Sequence, residues 1–290
     1  MKKTIAISSG KGGTGKTSVS VNLFNLLNKK YNKRTLLVDC DVEEPNDILF
    51  FDKLEKISSN VKNQIIPKIN INKCIFCKKC SDYCEFNAIS ILPIMKHISI
   101  SSNLCHSCGA CFYACAYNAI EEKLKSIGEV NYYRSKEGFD IVEGRLTIGS
   151  TMQTMMIKEL KKSLKSNYDI YLLDSPPGTS CPVVETVSDA DYVILVSEPT
   201  PFGLYDLKLT VDLLNEINKP FGVIINKAKL GDQKLYDYLK ANNINLLGEI
   251  PFNKQYASNY SKGKLFENIP IEVEESYNKI LDNLKKKSLI

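Results

Sequence analysis

The sequence predicts an α/β fold, a doubly wound and mainly parallel sheet built around a phosphate-binding loop, with a small α+β unit inserted. Three observations predict it. A β-rich apolar run, a glycine-rich loop and a helical run follow one another at the start; short apolar strands alternate with helical stretches from about residue 125 onward; and between them the alternation breaks where eight of the ten cysteines are concentrated.

The first element is the apolar run Lys3 to Ser8. It leads into Ser9-Gly10-Lys11-Gly12-Gly13-Thr14-Gly15-Lys16-Thr17, and Ser18 to Leu27 then carries apolar residues at helical spacing. Gly10, Gly15, Lys16 and Thr17 fit G-x-x-x-x-G-K-[ST] in the strand, loop and helix order that this motif requires. The glycines let backbone N–H groups turn inward around phosphates, the lysine reaches the outer phosphates, and the hydroxyl binds magnesium. Gly12, Gly13, Thr14 and Ser18 complete the set of candidate nucleotide ligands in this loop. The second strand, Thr35 to Asp41, ends in the acids Asp39 and Asp41 and is followed by the turn-rich Val42 to Asp47. A parallel strand delivers its polar end to the same carboxyl edge as the phosphate loop, where ligands bind in open α/β sheets.

Beyond Asn46 the alternation stalls, and composition marks an insert over 66–124, leaving 1–65 and 125–290 for the nucleotide-binding domain. Within the insert Cys74, Cys77, Cys80 and Cys84 give C-x2-C-x2-C-x3-C. Cys105, Cys108, Cys111 and Cys115 repeat it with every cysteine displaced by 31 positions, and Asn87-Ala88-Ile89 recurs as Asn118-Ala119-Ile120 at the same offset. This is an internal duplication. After it come a helix over Thr154 to Leu164 and the strand Tyr168 to Asp174, which runs into Ser175-Pro176-Pro177-Gly178-Thr179. Strands at Tyr192 to Ser197, Phe221 to Asn226 and Leu246 to Ile250 follow, with helices between them. Ile271 to Ile290 reads as an amphipathic helix, with Ile280, Leu281 and Leu284 on its apolar side, that closes the fold by docking on the sheet.

Composition limits the function classes. A chain of 290 residues, 43% hydrophobic and 24% charged, is ordinary for a folded protein. A net charge of +5 from scattered lysines gives little support for nucleic-acid binding, and the few apolar residues before Ser8 are too short for a leader or a membrane span. The expected location is the cytoplasm, with neither nucleic acid nor membrane as partner. Ten cysteines in that setting point to metal or redox chemistry rather than disulfides.

The second lysine of the loop, in Lys11-Gly12-Gly13-Thr14-Gly15-Lys16-Thr17, resembles the deviant loop of the MinD/ParA/Mrp and nitrogenase iron protein class, the CobQ/CobB/MinD/ParA ATPases. That resemblance implies ATP or ADP with Mg2+, slow partner-stimulated hydrolysis, and a homodimer with nucleotide at its interface. Lys11 would cross to the partner's nucleotide and act with Lys16 and Asp41 in catalysis, Asp41 orienting the attacking water. Thr17, Asp39 and Asp174 would hold magnesium, and Gly178 would bring a backbone N–H to the terminal phosphate. Asn226 and Pro251 match the adenine-side positions.

The cysteine runs resemble those of bacterial two-cluster ferredoxins, in which the fourth cysteine of each run serves the other cluster. The insert is accordingly expected to be ferredoxin-like and to hold two [4Fe-4S] clusters. One would take Cys74, Cys77, Cys80 and Cys115, and the other Cys105, Cys108, Cys111 and Cys84. Zinc sites more often pair two C-x2-C hooks or mix in histidine, so zinc is the weaker alternative. The proline that usually follows the fourth cysteine is replaced by Glu85 and Ala116, and His106 is a spacer by count. Cys40 reads as an apolar filler. Cys181 sits where the nitrogenase iron protein has a cluster-bridging cysteine, but Glu143 to Thr151 lacks the second cysteine that such a bridge needs. The expected function is a dimerising MgATPase coupled to an electron-transfer module that serves a redox or iron-sulfur client. An Mrp-like cluster carrier and a MinD/ParA-like positioning ATPase are the alternatives.

Overall fold

A computed structural model describes residues 2–290. In chain order the elements begin with β1 (Lys3–Ser8), α1 (Lys16–Tyr31), β2 (Thr35–Asp39), a 3-10 turn at Asp47–Phe50, and β3 (Glu55–Ile69). The cysteine region contributes α2 (Lys79–Asp82), β4 (Ile89–Leu92), β5 (His97–Ile100) and α3 (Ala110–Ala114). Then come β6 (Ile120–Arg134), β7 (Asp140–Leu146), α4 (Gln153–Lys162), β8 (Ile170–Asp174), α5 (Cys181–Val187) and β9 (Tyr192–Ser197). The chain continues through α6 (Pro201–Glu216), β10 (Phe221–Ala228), α7 (Lys234–Ala241), β11 (Leu246–Pro251), α8 (Lys254–Ser261) and α9 (Ile271–Lys286).

The main sheet has nine strands in the order β11-β10-β9-β1-β8-β2-β7-β6-β3. Every pairing from β11 to β7 is parallel, as the alternation of apolar runs and helices requires. Register places the chemistry. Asp39 of β2 lies opposite Asp174 of β8, and Ile7 of β1 opposite Asp174 in turn, so the two acids end side by side where β1 enters the loop. Ile5 and Ile7, two residues apart, share one face of the sheet with Leu37 and Leu172, and pack with Phe24 and Leu27 of α1 and Tyr277, Ile280 and Leu284 of α9. Each such side chain contributes roughly 1.5–3 kcal/mol when fully buried. The α9 helix is therefore a packed element, and among the described residues no helix is long and apolar enough to cross a membrane.

The chain divides into two compact units. The first runs to Ser59 and includes Val130–Arg145 and Gln153–Ile290; the second comprises Asn60–Glu129 and Leu146–Met152. The second unit is wider than the composition break at 66–124 because β3 and β6, each 15 residues long, belong to it over most of their length. Its small core joins Cys80, Ile89, Ile91 and Cys111, beside the antiparallel β4–β5 pair. Strand β7 was absent from the expected elements. Its Asp-Ile-Val-Glu-Gly-Arg-Leu sequence carries two acids, an arginine and a glycine among few apolar residues, yet it pairs in parallel with β2. Helix α1 is longer at both ends than Ser18 to Leu27, since Asn32 caps it in the left-handed conformation that ends helices. The β2 strand stops at Asp39 rather than Asp41 because Asp39 turns the chain by accepting the Asp41 N–H at 3.0 Å.

Candidate functional site

The loop between β1 and α1 is held by its own backbone and by two strand ends. Gly10 lies against the Asp206 backbone of α6, leaving no room for a Cβ. Gly15 has φ +94°, and a Cβ there would overlap Asn226 Nδ2. Asn226 donates from that nitrogen to the Thr14 carbonyl at 2.7 Å, and Lys227 Nζ donates to the Gly13 carbonyl at 2.9 Å. Gly12 and Gly13 are exposed, while Thr14 is buried with no partner for its hydroxyl. Gly15→Ala is expected to lower nucleotide affinity at least tenfold, because it strains a left-handed residue at about 1–3 kcal/mol and expels Asn226 from the loop. Isothermal titration with MgADP checks this, and unchanged affinity would refute the role of this contact.

Below the loop Asp174 gathers three donors. Lys16 Nζ lies 3.1 Å from Oδ1, Thr17 Oγ1 donates to Oδ2 at 3.0 Å, and Ser20 Oγ donates to Oδ1 at 2.7 Å. Asp39 accepts the N–H groups of Asp41, Asn46 and Asp47. Asp47 is the residue that sequence reasoning missed. It is fully buried, neither of its carboxylate oxygens has a hydrogen-bond partner, and it faces Asp39 and Asp174 with one oxygen of each within 4.8 Å. Its only signal in the sequence was its place at the end of the turn-rich stretch after β2.

These buried acids perturb one another. Burial and then Asp174 push Asp39 up to about 7, against the pull of backbone N–H groups and Lys16. Burial, Asp39 and Asp174 push Asp47 well above the usual carboxylate range. Asp41, half-buried, is also raised by burial. Burial draws Lys16 down, but Asp174, Asp39 and Asp47 outweigh it and the net direction is up. The raised acids keep protons that unfolded carboxylates release near pH 4. Stability of metal-free, nucleotide-free protein is therefore expected to fall as pH rises from about 4 to 7. Urea midpoints across this window check it, and Asp47→Asn should flatten the fall; an equal fall in that variant would contradict the assignment.

Several of the residues expected at the nucleotide have partners within the chain. Lys11 Nζ pairs within its own chain with Glu198 Oε1 at 2.7 Å, and Glu198 Oε2 binds Lys227 Nζ at 2.9 Å. Glu198, just past the end of β9, is a second residue missed, although the rule that drew attention to Asp39 and Asp174 at strand ends applies equally to it. The Gly178 N–H donates to the Ser9 carbonyl at 2.9 Å rather than standing free for a phosphate. Asn226 and Pro251 do come together, lining a cavity with Gly13, Gly15, Ser18 and the rings of Tyr256 and Tyr260. Cys40 is fully buried, and Cys181 is exposed at the start of α5.

In the second unit the eight cysteines line two separate cavities. Cys74, Cys77, Cys80 and Cys115 line one, and Cys84, Cys105, Cys108 and Cys111 line the other. The titration neighbours agree with this division. Burial and then the Cys115 and Cys74 thiols push Cys80 up, whereas burial and then Cys105 push Cys111 up to about 11. The duplication extends to backbone conformation: Phe76, Lys78 and Asn87 have left-handed φ, as do Ser107, Gly109 and Asn118. These bends turn N–H groups toward sulfur, with Phe76 donating to Cys74 Sγ at 3.4 Å, Ala88 to Cys84 Sγ at 3.3 Å and Ala119 to Cys115 Sγ at 3.4 Å. His106 stacks on Phe86 with ring centroids 3.9 Å apart.

Comparison with known proteins places the chain. An uncharacterised protein of Methanocaldococcus jannaschii is 32% identical over 287 residues, covering 97% of this chain and 96% of that protein. An iron-sulfur cluster carrier protein of Aquifex aeolicus is 23% identical over 280 residues, covering 91% of this chain and 61% of that protein. The cell division ATPase MinD of Pyrococcus furiosus has a similar fold, with TM-score 0.59 and 17% identity over 99% of this chain and 100% of that one. The family model of the CobQ/CobB/MinD/ParA nucleotide binding domain matches residues 5–266. With a phosphate loop closed by Lys16 and Thr17 under paired strand-end acids, the chain belongs to the CobQ/CobB/MinD/ParA nucleotide-binding domain family.

Proposed function

We propose that this MinD/ParA-type nucleotide-binding protein is a dimerising MgATPase whose nucleotide state governs two [4Fe-4S] sites, gating electron delivery or cluster transfer to a protein client. The observation that carries the reading is the division of eight cysteines into two cavities of four, on the same chain as a complete phosphate loop. Each cavity takes three cysteines from one run and its last from the other, and backbone N–H groups already point at three of the sulfurs. That donor set fits a cubane cluster, which supplies one-electron chemistry when bound.

The residues around Asp174 likewise fit a hydrated magnesium ion, which neutralises phosphate charge when bound with nucleotide. Three buried acids exceed the single ammonium of Lys16, and the two Asp47 oxygens lack donors. Thr17, Asp39 and Asp174 would hold the ion. Lys16 would leave Asp174 for the outer phosphates, Asp41 would orient water, and Lys11 would leave Glu198 for the partner's nucleotide. The cavity beside Asn226 and Pro251 would take the base. Release of Gly178 from Ser9 would let the second switch register the terminal phosphate.

Electron paramagnetic resonance of the anaerobically purified, reduced protein tests the reading. Two [4Fe-4S] signals that change on adding MgATP are expected; protein without iron, or signals indifferent to nucleotide, would overturn it. A second reading, that the clusters are cargo, draws support from the exposure of Cys77 and Cys108, one in each set, and from the iron-sulfur carriers among the relatives. Cargo would pass to an apo-ferredoxin and yield to brief chelation, whereas permanent centres would be reduced and reoxidised in place.

A further inference from the structure

The two halves of the cysteine unit are copies in spacing and in backbone, so their differences in charge stand out. Lys78 and Lys79 line the cavity of Cys74, Cys77, Cys80 and Cys115, and no acid does. Their counterparts 31 residues on are Gly109 and Ala110, and the cavity of Cys84, Cys105, Cys108 and Cys111 is lined by no lysine, arginine, aspartate or glutamate; its one basic side chain is His106, which stacks on Phe86. A second difference acts in the same sense. Glu85 follows Cys84, a member of the second set, whereas the uncharged Ala116 follows Cys115 of the first. Glu85 and Asp82 are both exposed and line neither cavity, so Glu85 acts only through its place next to the Cys84 ligand.

The local backbone disfavours a lysine at 78. Lys78 holds φ +65°, a left-handed conformation that its counterpart Gly109 adopts at φ +79° without a Cβ penalty. For a residue with a side chain that conformation is disfavoured, because its Cβ crowds the following carbonyl oxygen. Charge at the cavity offsets that strain, because a cation stabilises whatever negative charge the cavity holds.

We propose that the two cysteine sites are electrostatically unequal, so that an electron given to this unit by a low-potential one-electron donor comes to rest at the Cys74, Cys77, Cys80 and Cys115 site, held there by Lys78 and Lys79. The inference rests on the two-cluster reading above. With clusters bound, exchange between the sites would move a single electron, one site being reduced as the other is oxidised, and no bond or proton would move. The lysine-lined site is thus the terminal one, and Glu85 makes the other the stronger reductant.

A potentiometric titration of the whole protein with dithionite, followed by electron paramagnetic resonance, tests this. Wild type is expected to show two midpoints. The variant Lys78→Gly with Lys79→Ala, which copies the second half, should lower the higher midpoint. The reduced-to-oxidised ratio there should fall threefold to tenfold at fixed potential, tenfold being 59 mV for one electron. Glu85→Ala should raise the lower midpoint, and the three changes together should draw the two close. Iron content of each variant controls for loss of clusters. If wild type holds two clusters and neither midpoint answers to these changes, or the lower one answers to the lysines, this inference alone is overturned. Wild type without paired [4Fe-4S] signals overturns the two-cluster reading as well.

Discussion

Replacing Lys16 by alanine is expected to abolish MgATP binding and hydrolysis while leaving the iron content and the reduced cluster spectrum near those of wild type. Lys16 is 7% exposed, and its ammonium is the nearest cation to Asp174, Asp39 and Asp47. Its loss removes the ligand for the outer phosphates and leaves a buried acidic group without its counter-charge. Breaking a buried pair in this way costs about 3–5 kcal/mol, so the first unit should also unfold at lower denaturant in the metal-free state. Thr17→Ala separates the two effects. It removes a hydroxyl that donates to Asp174 but keeps the ammonium, and it should weaken nucleotide binding chiefly when magnesium is present. Nucleotide titrations with and without magnesium, run beside iron analysis, check both variants. Parallel loss of nucleotide binding and iron in Lys16→Ala would show that the two units do not fold separately.

Replacing Cys115 by alanine should remove the cluster of the first cysteine run, although Cys115 lies in the second. It lines the cavity of Cys74, Cys77 and Cys80, and the Ala119 N–H donates to its sulfur. The expected result is about half of the wild-type iron, with the surviving signal that of the Cys105, Cys108 and Cys111 site. Cys84→Ala should produce the converse loss. Because Cys80 and Cys111 share one small core, either change should also loosen the unit, by the coupling of metal binding to folding. If Cys115→Ala spared the first site and emptied the second, the crossed ligation would be wrong.

What could be read in advance was encoded locally. The loop, the acids at the ends of β2 and β8 and the cysteine spacing each lie within a few residues of chain, where one geometry satisfies one pattern. The parallel strands β1, β2, β8, β9, β10 and β11 were legible for a related reason, since burial on both faces leaves nearly uninterrupted apolar runs, whereas the parallel β7, with two acids, an arginine and a glycine, lacks such a run. The strands β3 and β6 were not, because much of each is exposed and alternates weakly, with Glu55, Lys56, Ser58 and Ser59 at the start of β3. Asp47 was hidden for a deeper reason. An acid in a turn-rich stretch ordinarily faces water, and only the 3-10 turn that closes over Asp39 brings it under the loop. Glu198 stands just past a strand end as an acid, in the manner of Asp39 and Asp174, but its pairing with Lys11 and that of Lys227 with Gly13 could not be read until β9 and β10 brought these residues together.

The pairing of Lys11 with Glu198 has a kinetic consequence for assembly. On the dimeric reading, association exchanges one ionic partner for another, so it replaces an existing attraction instead of adding a new one. Salt screens the bond being given up as well as the bond being made, and the equilibrium should answer weakly to ionic strength. The rate should answer to the lifetime of the Glu198 contact. Glu198→Gln would then hasten the meeting of two nucleotide-loaded copies more than it prolongs their stay together.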